Sequence, residues 1–111
     1  MKLLFYKNNN IEKEISNIIK KNNTYIIQDE DINMNIIIDS ELILTRENDE
    51  FSFKLIIGLE NKCIYKLKKY DLIYDIKVID ASYNILDNKI EINYHIESDD
   101  AFNKIEIVNE E

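Results

Sequence analysis

The chain has 111 residues, 45% apolar and 32% charged, with one Gly, no Pro, one Cys, one His and a net charge of −8. That length suits one domain over residues 1–111, and a lone Cys63 with a lone His95 excludes both a disulfide framework and a zinc cluster. A single glycine, Gly58, excludes phosphate-cradling loops, and the acidic balance opposes nucleic acid, whose phosphates need Lys and Arg.

The chain carries 23 Ile against 2 Val, and 13 Lys against one Arg, as AT-rich codons would produce. Position, rather than abundance, is therefore the folding signal. Residues 1–7 hold only four consecutive apolar residues, short of the ~7 to 15 of a signal peptide and the ~20 of a membrane span. The expectation is a cytoplasmic protein without a membrane partner.

Next, Ile11, Ile15, Ile18 and Ile19 fit the i, i+4, i+7, i+8 pattern of one short amphipathic helix near the N-terminus. Ile11, Ile15 and Ile19 also share one face of a strand, and the hairpin pattern around Asn22 and Asn23 tilts residues 17–21 toward strand. Asp29, Asp31 and Asn33 alternate as in a calcium loop, but Met34 stands where glycine is needed and Ser40 where the bidentate Glu belongs. An acidic turn is the simpler reading.

From there the period is two. Residues 36–38 and 42–44 flank a turn at Asp39 and Ser40. Phe51, Phe53, Leu55 and Ile57 share a face, as do Cys63, Tyr65 and Leu67, then Leu72, Tyr74, Ile76 and Val78, then Ile90, Ile92, Tyr94 and Ile96, then Ile105 and Ile107. Short polar connections rich in Asn and Asp stand in for glycine turns. About eight to ten strands joined this way make an antiparallel up-and-down meander, and closure into a small β-barrel removes its edges.

The run Glu41-Leu42-Ile43-Leu44-Thr45-Arg46, then Phe51-Ser52-Phe53, Tyr65-Lys66-Leu67 and Lys89-Ile90-Glu91-Ile92-Asn93-Tyr94, resembles the YwiB-like family of small bacterial calycin-type (lipocalin-like) β-barrel proteins, whose function is unknown. The resemblance spans residues 17–108 and implies a calycin-like barrel. Glu47 stands where members usually place Gly, and the first hairpin, residues 2–15, is shorter than theirs.

Catalysis finds little material. His95, between inward Tyr94 and Ile96, points outward, and no nucleophile and base stand out, so the chain reads as no enzyme, with no cofactor and no metal. Arg46 shares the face of Leu42 and Leu44. Its fork suits either a carboxylate or phosphate clamp at a pocket mouth, or a structural contact closing one barrel end on an aromatic ring. Inward Tyr65, Tyr74 and Tyr94 bring hydroxyls that need partners when buried.

These four residues form the candidate binding site for a small apolar or carboxylate-bearing ligand. The alternative is a solid barrel acting as a structural or protein-interaction module. Ile43, Ile64, Ile73 and Ile79 interrupt polar outer faces, which points to a homodimer or another partner. Lys62, Lys66, Lys68 and Lys69 read as a solvated face.

Overall fold

Period-two patterning becomes strand wherever a neighbour can complete the backbone hydrogen bonds. The computed structural model describes residues 1–109. Its strands are β1 (Lys2–Lys7), β2 (Asn10–Ile15), β3 (Ile18–Lys21), β4 (Thr24–Asp29), β5 (Ile32–Ile38) and β6 (Leu42–Glu47). They continue with β7 (Phe51–Ile57), β8 (Lys62–Leu67), β9 (Leu72–Ile76), β10 (Val78–Ile85), β11 (Lys89–Ile96) and β12 (Asn103–Val108). A 3-10 turn, Lys68–Tyr70, precedes β9. Among the described residues no helix is long and apolar enough to cross a membrane.

The strands form two antiparallel sheets, one ordered β10-β11-β12-β1-β2 and the other β3 through β9 in sequence. The expected closed barrel is therefore not found, and the described residues form twelve strands rather than eight to ten. A closed ring of so many strands would enclose a lumen wider than side chains can fill. Folding the ring flat at two corners lets both inner faces interdigitate. Leu3, Ile27, Ile36, Leu42, Leu44, Leu55, Ile92 and Ile105 fill the space between the sheets and are fully buried.

Each corner is one stretch of chain serving both sheets. Residues 10–21 pair first with β1 and then, past Ser16 and Asn17, with β4. Residues 72–85 pair first with β8 and then, past Lys77, with β11. At the corners single backbone bonds span the gap, from Gln28 N–H to the Asn17 carbonyl (3.1 Å) and from Glu97 N–H to the Lys77 carbonyl (2.9 Å). Away from those bonds the ladder is interrupted, leaving two seams. The terminal strands are neighbours, with β1 lying between β2 and β12.

The short N-terminal helix gives way to β2 and β3. Pairing on β1 satisfies the backbone of residues 10–15, while Ile11 and Ile19, which the helix would have buried, stay exposed. The first hairpin turns on Asn8 and Asn9, both at positive φ (50° and 69°), as a two-residue turn of matching twist requires. Asn22, Glu30 and Asp71 also take positive φ. Elsewhere side chains make the turn instead: Asn48 Oδ1 accepts from the N–H groups of Glu50 (2.8 Å) and Phe51 (3.1 Å), and Asp99 Oδ1 from Ala101 N–H (2.9 Å).

Cys63 lies in the core beside Leu55, and burial pushes its thiol up to about 11. At pH 8 the group is therefore held as the unreactive thiol. Native protein at that pH should react with an aromatic disulfide reagent at least tenfold more slowly than protein in 6 M guanidinium, followed by absorbance. Equal rates would show that Cys63 is open to solvent.

Candidate functional site

Register, which alternation alone does not reveal, places most of the candidate residues in one line. Across the seven-stranded sheet Met34 lies opposite Arg46, Arg46 opposite Phe53, Phe53 opposite Tyr65, and Tyr65 opposite Tyr74. Tyr94 approaches this row from the other sheet, its ring 6.2 Å from that of Phe53. Tyr65 stacks on Phe51 at 5.8 Å. The row crosses from buried at Met34 to open at Tyr74, which is 47% exposed.

The tyrosines differ accordingly. Tyr94 is buried, and desolvation pushes its hydroxyl up to about 12 against the opposing pull of the Arg46 guanidinium. Tyr65 is half-buried. Tyr74 shares the inner face by alternation, but β9 is the last strand of its sheet and leaves the ring 47% exposed. Tyr65 and Tyr74 line an open groove of about 770 Å³ at the β9 seam, whose floor includes Phe53, Leu67, Ile76 and Ile96. Asp75, Glu97, Asp99 and Lys77 complete its wall. The Asp99 carboxyl is held below its usual range by the Ala101 N–H and the Asn103 amide, with burial opposing them, so it stays charged.

Arg46 turns away from this groove, toward a depression of about 400 Å³ at the other seam, shared with Lys7, Glu12, Lys13, Asp29 and Met34. Its Nε is buried and has no hydrogen-bond partner among the described residues. Among the described residues no ring stacks under the guanidinium and no carboxylate pairs with it. Arg46 thus lines a different depression from Tyr65 and Tyr74. The local ion pair is instead Lys13 Nζ to Asp29 Oδ1 at 2.8 Å, with Asp29 only 6% exposed. This pair spans the seam between β2 and β4, and its bond to Asp29 raises the Lys13 ammonium above its usual value.

Several other chemistry-bearing groups are engaged in local contacts. His95 is half-buried against Phe102, with ring centroids 4.6 Å apart. Glu91 and Glu106, opposite each other on β11 and β12, are bridged by Lys89 Nζ at 2.9 and 3.1 Å. Burial works against the Glu106 carboxylate, but bonds from Tyr6 and Lys89 hold its carboxyl below the usual range. Asp29 through Asn33 form the β4 to β5 hairpin, and no group of three or more potential metal ligands occurs among the described residues. Lys62, Lys66 and Lys68 pair with Glu60, Asp71 and Glu47, as a solvated face would.

The outer isoleucines fall into a diagonal. Ile37, Ile43 and Ile56 are directly opposed on β5, β6 and β7, and Ile64 and Ile73 continue the line one step along on β8 and β9. Ile79 is not part of it, since it belongs to the other sheet at a bulge in β10. Lys54, Lys62 and Lys66 flank the diagonal on the same face, and their stems shield Ile43, Ile56 and Ile64, which are half-buried.

No family model, curated protein or solved structure matches the chain.

Proposed function

We propose that the protein is a non-enzymatic, cytoplasmic interaction module of calycin-like type whose recognition surface is the groove at the β9 seam. The observation that carries this reading is a contrast. The space between the sheets is filled by fully buried Leu and Ile, while β9 leaves Leu72 and Tyr74, on the face that carries the open groove, at 46 and 47% exposure. Apolar side chains left open beside a groove on an acidic protein favour a contact surface. The adjacency of β1 and β12 supports a relation to YwiB-like barrels, because a closed meander also ends beside its own beginning.

A second reading, a small apolar ligand lying on Tyr65 and Tyr74, is favoured by the groove's volume of about 770 Å³, within the range of small-molecule sites. A carboxylate-bearing ligand fits less well. Arg46 lines the other depression, and Asp75, Glu97 and Asp99 would repel the anion.

Photo-crosslinking in cells separates these readings. With benzoylphenylalanine in place of Tyr74, a discrete protein adduct is expected, and the same probe at Ile19, exposed on β3, should give none. Failure to crosslink at position 74, together with a small molecule retained in native mass spectra, would replace the interaction reading with the ligand reading.

A further inference from the structure

The two seams have the same construction and opposite chemistry. Each lies where a corner stretch leaves one sheet for the other, so each exposes a strand edge that pairs on one side only. At the β2 seam the opening is crossed by Lys13 and Asp29. Inward-pointing charge is a recognised way to keep a strand edge from recruiting another chain. At the β9 seam no ion pair crosses among the described residues, and the edge strand is Leu72-Ile73-Tyr74-Asp75-Ile76. Among the described residues β9 pairs with β8 alone. The edge faces a groove instead of a neighbouring strand.

We infer that β9 is the acceptor for an extended, basic peptide segment that adds to the seven-stranded sheet as an eighth strand. This rests on the interaction reading and names the class of partner. An added antiparallel strand would take its backbone bonds from the free edge of β9. Alternate side chains would point into the groove over Tyr65, Leu67 and Ile96, while the others would point outward beside Asp75. Five residues of edge give a contact of roughly 17 Å, long enough to fix direction and register.

Charge selects among occupants. Asp75, Glu97 and Asp99 against Lys77 make the groove wall acidic, and the chain as a whole carries −8. A second copy adding through its own β9 would bring two acidic walls together, which like-charge repulsion opposes. An acidic segment meets the same penalty. A segment alternating Lys or Arg with apolar residues satisfies both the charge and the period of two. A small organic cation could use the tyrosine faces but would leave the strand edge unpaired.

The test uses the whole protein and synthetic nonapeptides. An alternating Lys/Val peptide is compared with an alternating Glu/Val peptide, a Lys/Val peptide of equal composition with the alternation scrambled, and an alternating peptide N-methylated on every second amide. Binding is followed by tyrosine fluorescence, and bound-state hydrogen exchange is read residue by residue. The alternating Lys/Val peptide should bind at least tenfold more tightly than the other three and should slow exchange across Leu72–Ile76. Tyr74→Lys should weaken it at least tenfold. Circular dichroism of that variant should match the parent, because the side chain is half out in solvent.

Equal binding of the scrambled or N-methylated peptide, or protection that falls outside β9, would overturn strand addition. Dimerisation through β9 at ~100 µM would replace the peptide by a second copy. A crosslinked partner at position 74 without any of this selectivity would keep the interaction module and remove the strand mode alone.

Discussion

Leu55→Ala is expected to lower the free energy of unfolding by about 3 kcal/mol, the largest effect of any single substitution considered. Leu55 is fully buried on β7 and stands between Leu44 and Cys63 on the neighbouring strands. Its side chain therefore contacts both strand neighbours and the opposing sheet, and a cavity left there is walled by strands paired on both sides. Such a site relaxes little, so most of the void persists and its cost adds to the lost transfer energy. A loss of that size is a large share of the ~5 to 15 kcal/mol that holds a domain folded. Urea unfolding followed by circular dichroism should show a lower midpoint with an unchanged slope. The outer-face control, Ile56→Ala, should cost about 1 kcal/mol. A Leu55→Ala loss below that of the control would mean that the interior is looser than its burial indicates.

The second large effect is at the β2 seam. Lys13→Met leaves Asp29 with 6% exposure and no ammonium at 2.8 Å. Removing one member of a fully buried pair costs ~3 to 5 kcal/mol. The Lys13 side chain is 43% exposed, so solvent screening reduces the expected loss to about 1 to 2 kcal/mol. Adding Asp29→Leu should restore most of it, because the orphaned carboxylate is gone and an apolar side chain suits the site. That double variant would also carry a bare apolar edge on β2. Light scattering at ~100 µM is expected to give a mass larger than the parent's. A double variant with the parent's mass would show that the ion pair contributes stability without guarding the edge.

Strand content was legible because alternating Phe51, Phe53, Leu55 and Ile57, and the later series like it, needs only local pattern to be recognised. The corners were not. Lys77 carries no turn signature, and Ser16 and Asn17, though turn-favouring residues, do not by themselves distinguish a change of sheet from an ordinary hairpin. Residues 11–19 stayed ambiguous for the same reason: the choice between helix and strand was made by β1, a partner placed by the chain's other end through β12. Alternation put Tyr74 on the inner face correctly, yet its exposure depends on β9 being the last strand of its sheet. Arg46 is conspicuous as the single arginine, but that it lines a different depression from Tyr65 and Tyr74 depends on its place at the Met34 end of their shared row. The contrast between a charged seam and a bare one needs Lys13 and Asp29 to be neighbours in space, and nothing in their spacing says so.

The place of β1 beside β12 has a consequence for how the chain is made. β3 through β9 are joined by hairpins, so each can find its partner within a few residues of leaving the ribosome. The β1 to β2 hairpin can form early too, but it must wait for Asn103–Val108 before the five-stranded sheet exists. Joining them closes a loop of nearly the whole chain, the slowest kind of contact to establish. Until Asn103–Val108 is made the β1 to β2 hairpin is therefore an unclaimed edge, and the exposed charged residues Glu12, Lys13 and Glu14 favour its staying in solution.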